Sequence, residues 1–300
     1  VLLFVGAYLG DINGAGMLTS VLTDPVRAPG VRARGYLLRS HLELARGRWT
    51  AAKRDLDAAR KLHPVIGLEY RALLSAAPFL KVPAAELRKI DADLQQLPLE
   101  TASKSGEPGT WLNPHQGLHR QLRVYLLGLI SARLGSPDAT LAAAGKLEKM
   151  GDLQESGHLV TDLALSLRAT AARHENRVEE ALHLLEQARM EARFDQAMLS
   201  PFYSQAFERF ARGELLTDLD RHREAIPWFG SFAENSLYDL IFLAPSHRKR
   251  GAIHERLGEP EKAIEHYSRF LELWHDCDPE LRDLFRRTEA RMARLKRKIG

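Results

Sequence analysis

Between residues 33 and 64, apolar side chains at Tyr36, Leu37, Leu38, Leu42 and Leu44 share one face of a 3.6-residue helix. Gly47 breaks that stripe, Arg48-Trp49 opens a turn, and a second stripe carries Ala52, Leu56, Ala59 and Leu62 up to Pro64. The pattern predicts two antiparallel helices, with Ala52 and Ala59 small where the backbones approach and large residues filling the holes opposite. The C-terminal region repeats it. A first helix, with Gly251 as its small residue, ends at Leu257-Gly258, and a second carries Ala263, Tyr267 and Phe270. Pro260 falls early in that second helix, where a missing N–H costs nothing.

Weaker copies lie between. Gly128, Leu134-Gly135, Ala144 and Leu147 mark one; Ala169, Ala172, Ala181, Leu185 and Ala188 another; Gly213, Leu216, Leu219, Ala225, Phe229 and Phe232 a third. Val65 to Leu97 reads as a degenerate repeat punctuated by Pro78 and Pro83. Leu9-Gly10-Asp11 followed by Ala15 reads as the second half of a truncated one. Helix, glycine turn, helix and proline over about 34 residues resembles the tetratricopeptide repeat. One such hairpin cannot bury its apolar face, so neighbours must stack on it. The expected fold is therefore all-α: antiparallel helix pairs stacked as a tetratricopeptide-like superhelical solenoid. The spacing stretches between Ala181 and Ala225, which predicts an irregular superhelix with longer helices or inserted loops.

The expected organisation is N-terminal repeats over 1–97, an irregular loop over 98–115, C-terminal repeats over 116–278, and a polar-backed capping helix over 279–300. The loop holds Pro98, Gly106, Pro108, Gly109 and Pro114, and Trp111 is expected to pack back and staple it to the solenoid. Composition agrees with helix throughout: Ala, Leu, Arg and Glu abound, and β-branched residues are few. The net charge of +4 over 300 residues is spread along the chain, as on a solvated surface. Cys277 is the one cysteine, so no intramolecular disulfide is possible, and a reducing, cytoplasmic setting is expected. The opening run Val1 to Val5 is too short to span a bilayer and reads as the stump of a helix from a longer polypeptide.

The last third is more specific. Pro201-Phe202-Tyr203-Ser204, Glu208-Arg209-Phe210, Gly230-Ser231-Phe232-Ala233-Glu234, Leu243-Ala244-Pro245-Ser246-His247 and Leu271-Glu272-Leu273-Trp274 resemble the tetratricopeptide tail of bacterial multidomain regulators, where it follows a serine/threonine kinase or a DNA-binding domain. The chain departs from that pattern at His247 and Arg250, where apolar residues would be expected. The resemblance implies a sensing or partner-docking tail. No kinase glycine loop, catalytic-loop Asp or Asp-Phe-Gly occurs.

Chemistry-bearing patterns are weak. His115 and His119 stand one turn apart, but Gln116 takes the place of the zincin Glu. His275-Asp276-Cys277-Asp278 places its ligands on adjacent residues that do not converge, and it reads as a helix end with Asp278 as N-cap before Pro279. Ser246-His247-Arg248-Lys249 lacks the accompanying motifs of penicillin-binding enzymes, and Gly14-Ala15-Gly16 lacks a third glycine. No catalytic set, metal site or cofactor is expected.

Repeats of this kind bind along the inner face, lined by the first helix of each pair. By register His41, Tyr125, Arg133, Thr170, Arg173, Phe210, Glu214, Arg248 and Glu255 are expected there. Arg133, Arg173 and Arg248 together would suit an acidic protein or peptide, because guanidinium grips carboxylate bidentately. The Lys and Asn set of the carboxylate clamp for chaperone tails is missing. The reading is a non-catalytic protein-interaction module of a regulatory protein, with no membrane role expected. The alternative is a nucleic-acid-binding segment using Arg286, Arg287, Arg291, Arg294, Lys296, Arg297 and Lys298, although interleaved Glu280, Asp283 and Glu289 and the helix dipole argue for a plain cap.

Overall fold

The apolar stripes fold as helices, and five of the turns inside pairs share one geometry, while the helices over 64–75 and 84–96 are joined by a different, proline-marked connection. The computed structural model describes residues 11–97, 117–153, 156–189, 197, 200–232 and 236–299, and among them there is no strand. The helices are α1 (Ile12–Thr23), α2 (Pro29–Ala45), α3 (Trp49–Leu62), α4 (Pro64–Ser75), α5 (Ala84–Gln96), α6 (His119–Arg133), α7 (Pro137–Met150), α8 (Leu159–His174) and α9 (Val178–Gln187). The short α10 (Pro201–Ser204) leads to α11 (Ala206–Asp218) and α12 (His222–Gly230), then a 3-10 helix (Leu237–Phe242), α13 (Leu243–Arg256), α14 (Pro260–Leu273) and α15 (Pro279–Ile299). Consecutive helices pack on one another along the chain, which is the stacked all-α helix-pair array that the repeats imply. The loop at 98–115 with Trp111, the pair partner His115, and Leu9-Gly10 lie outside the described residues.

Five pairs turn identically. Gly47, Gly135, Asn176, Asp220 and Gly258 each lie two residues past the first helix, with φ of 75°, 77°, 59°, 57° and 71°. In each turn the next residue's N–H reaches the carbonyl five residues back: Arg48 to Glu43, Ser136 to Ser131, Arg177 to Ala172, Arg221 to Leu216 and Glu259 to His254, all at 2.9–3.0 Å. This left-handed cap satisfies carbonyls the helix would otherwise leave open.

Close approach within pairs falls where small residues were expected. A Cβ on Gly213 would lie 2.8 Å from the Phe229 ring, and one on Gly251 would lie 2.6 Å from the Tyr267 ring. Ala52, Ala59, Ala144, Ala181, Ala225 and Ala263 are all wholly buried. α15 backs onto α14, burying Leu281 and Leu295 and leaving most of its basic residues outward.

Two features were not expected of a simple curved array. First, the last pair sits on the first. Trp274 Nε1 donates to the Ala45 carbonyl at 3.0 Å, Asp278 N–H donates to the Gly47 carbonyl at 3.0 Å, and Arg48 pairs with Asp276 at 2.5 Å. The Asp278 carboxylate accepts from Thr50 N–H at 2.6 Å, so it caps α3 across the junction instead of serving only its own helix. Second, the 3-10 helix between α12 and α13 is inserted against the inner side of α2, with all six residues buried. Tyr238 meets the His41 ring edge-on at 4.9 Å, and His41 meets Tyr70 at 5.4 Å. Phe242 packs against Phe79, Phe207 and Phe210 at 5.9, 5.0 and 4.8 Å between ring centres. One apolar cluster consequently joins α2 and α3 to α11, α12, the 3-10 helix and Leu281, while a second cluster holds the inward stripes of α5, α6, α7 and much of α8.

Candidate functional site

Among the described residues the inner face holds a cavity of about 450 Å3 between α6, α8, α11 and the turn after α4. Its floor is apolar because the first helices turn their stripes inward there: Leu129, Ala132, Ala169, Phe210 and Leu215 are buried and line it. Polar groups form the rim, with Arg133, Thr170, Arg173, His174 and Glu214 from the same helices. An apolar floor with a few convergent polar groups is the usual make-up of a ligand site.

Of the residues expected on the inner face, Tyr125, Arg133, Thr170, Arg173, Phe210 and Glu214 come together at this cavity. His41 does not. It is fully buried under Tyr238, and burial depresses its pKa to about 4. Its register turns it inward, but the inserted 3-10 helix fills the space in front of it. Arg248 and Glu255 also stand apart, in a separate cleft of about 600 Å3 between α13, α14 and α15 with Tyr267, Arg287, Arg291 and Arg294. The trio Arg133, Arg173 and Arg248 therefore does not form one patch.

The rim charges differ in how far they are already satisfied. Arg173 donates to Glu214 and to Asp218, both at 2.8 Å, and Lys249 adds a third contact to Glu214 at 2.5 Å. Burial pushes the Glu214 carboxyl upward, but Lys249 and Arg173 together outweigh it and hold its pKa below the ordinary value. Arg133 is different. One terminal nitrogen donates to the Leu80 carbonyl, its buried Nε has no partner, and among the described residues it has no carboxylate at salt-bridge distance. Burial pulls its pKa down with nothing opposing.

Beneath the floor, Tyr125 donates to the Glu208 carboxylate at 2.6 Å. Burial raises the pKa of Glu208, and that of Tyr125 is raised well above its usual value by burial and by Glu208. Repeat register did not point to Glu208 as part of the inner face. Its signal is a carboxylate inside the inward stripe of α11, which has to find a buried donor.

In the second cleft Glu255 accepts from Tyr267 at 2.8 Å and from Arg291 at 3.0 Å, and the buried Nε of Arg248 has no partner. Nearby, His247 meets His266 at 3.2 Å across the α13–α14 pair, which is how the chain accommodates a polar residue at this apolar-looking position. Among the described residues no group of three His, Cys, Asp or Glu side chains is placed to hold a metal, and no helix is long and apolar enough to cross a membrane.

No family model and no curated protein matches the chain. Among solved structures, a tetratricopeptide repeat protein from Parabacteroides merdae aligns over 95% of this chain and 94% of its own, at 16% identity and a TM-score of 0.44. The repeat character of the chain rests on its five equivalent turns, not on that likeness.

Proposed function

We propose that this chain is a non-catalytic interaction module, the docking or sensing part of a larger bacterial regulatory protein, and that it engages a protein or peptide partner at the inner-face cavity. The observation that carries this reading is the cavity itself: an apolar floor and charged rim on the face that helix-pair arrays use for binding. Peptides selected from a random library against the whole chain test it. Selected binders should compete with one another and lose affinity when Ala211→Trp fills the cavity. Binders indifferent to that change would place the docking surface elsewhere.

A second reading has its own observation. Arg248, Arg287, Arg291 and Arg294 line one cleft with Glu255, and Arg287 also pairs with Asp283 at 2.7 Å, which leaves an excess of positive charge there. An anionic partner such as nucleic acid is favoured by that imbalance. A steep fall of duplex-DNA affinity with salt, abolished by Arg287→Gln with Arg294→Gln, would move the function to this cleft.

A further inference from the structure

We infer that the cavity is a socket for a small apolar molecule ending in a single carboxylate, and that its occupancy competes with the docked partner. This rests on the docking reading above and specifies what regulates the same site. Three observations converge on it.

The first is the anchor. Arg133 is partly buried and charged, only one of its terminal nitrogens is engaged, by the Leu80 carbonyl, and among the described residues it has no carboxylate at salt-bridge distance. A guanidinium removed from water without a carboxylate is costly, and a planar two-oxygen acceptor is the group that matches its fork. The neighbouring cation is already taken, because Arg173 is held by Glu214 and Asp218. Among the described rim residues Arg133 is therefore the guanidinium left without a carboxylate. The second observation is the body of the site. Leu129, Ala169, Leu185, Phe207, Phe210 and Leu215 present a mainly hydrocarbon surface that an aliphatic or aromatic body would cover. At about 450 Å3 the space falls within the range of small-molecule sites. The third is closure. Phe207 and Phe210 are backed by Phe242 of the inserted 3-10 helix, at 5.0 and 4.8 Å between ring centres. The 3-10 helix thus bounds the socket on that side, which favours a compact ligand over an extended one.

Calorimetric titration of the whole chain with octanoate, and with 1-octanol as the same body lacking the charge, tests this. Octanoate should bind at least about tenfold more tightly than 1-octanol, and Arg133→Gln should remove that preference while leaving weak 1-octanol binding in place. Arg133→Lys should recover part of it. Octanoate should also displace the library-selected peptides from the wild-type chain. Equal binding of acid and alcohol, a preference that survives Arg133→Gln, or no octanoate binding would overturn the inference. If Ala211→Trp abolishes peptide binding while octanoate neither binds nor displaces, the socket idea falls and the docking reading stands. If octanoate binds through Arg133 but peptides ignore Ala211→Trp, the docking reading falls instead.

Discussion

Two stretches of the inner face, built by the same kind of helix, have opposite fates. Over α2 and α4 the face is filled: Tyr238 and its neighbours cover His41 and Tyr70, and Arg34 is buried, donating to the Tyr70 hydroxyl at 3.2 Å and lying 5.5 Å over the Tyr238 ring. Over α6, α8 and α11 the face stays open, and Arg133 has no comparable company. Repeat register puts side chains on the inner side in both places. What differs is the connection between pairs. Six residues inserted before α13 supply the missing partners at one end and stop short of the other. In a helix-pair array, the connections decide which part of the groove remains available.

The plug should therefore be structural, and removing its anchor should cost most. Phe242→Ala takes out a wholly buried ring that touches Phe79, Phe207, Phe210 and Phe232. Such truncations cost about 3–5 kcal/mol. Chemical denaturation should show a midpoint shift of that size. A loss below about 1 kcal/mol would mean that the 3-10 helix merely rests on α2, and that the two stretches are not as different as they look.

The same contrast predicts that adding bulk has opposite consequences at two alanines. Ala263 is wholly buried within the last pair, so Ala263→Trp must displace its neighbours, at about 1–3 kcal/mol. Ala211 borders the open cavity, so Ala211→Trp should change stability by no more than about 0.5 kcal/mol. Matched thermal melts of the two variants decide it; equal losses would show that the cavity is not free space.

Acid should weaken the filled stretch through His41. Its folded-state pKa of about 4 lies below the ordinary 6.5 because burial disfavours the cation, while the bond to the Leu37 carbonyl opposes that and Arg34 adds repulsion. Above pH 6.5 the ring is neutral folded or unfolded, and this contribution is fully present. As pH falls from 6.5 towards 4 the unfolded chain takes up a proton that the folded one refuses, and stability drops, by about 2 kcal/mol at pH 5. Comparing wild type with His41→Phe at pH 7 and pH 5 isolates the effect. Identical pH dependence in both would show that His41 does not carry it.

Much of this was legible in the chain. Glycines at 47, 135 and 258 mark turns, and alanines mark close approaches, because backbone sterics act locally and leave a residue-type signature. Register alone also brings Tyr125, Arg133, Thr170, Arg173, Phe210 and Glu214 to one side of the array, for the same local reason. Closure of the last pair on the first was not legible, because Trp274 and Ala45 are joined by one hydrogen bond across 229 residues and no local pattern encodes it. Nor was the plug: Leu237-Tyr238-Asp239-Leu240-Ile241-Phe242 is an apolar run like many others, and the stretched spacing before it signals an insertion without saying where it goes.

The smallest expected effect concerns two turns that the glycine signature hid. Asn176 and Asp220 hold φ of 59° and 57°, the region that glycine occupies at the other three turns. Non-glycine residues carry a cost there, lowest for Asn and Asp, whose short polar side chains tolerate it. Asn176→Gly relieves that cost, while the unfolded chain gains freedom that works against folding. The net should be a gain of only about 0.5 kcal/mol. Gly135→Asn should lose about as much, since nothing lies within 4 Å of a Cβ there and conformation alone decides. Gly47→Asn should lose considerably more. Its Cβ would come 2.7 Å from the Cys277 Cβ, at the junction where the last pair sits on the first. Urea midpoints for the three variants therefore separate a turn that is only a turn from one that also holds the array closed. Equal losses for Gly47→Asn and Gly135→Asn would show that the junction adds nothing to the first turn.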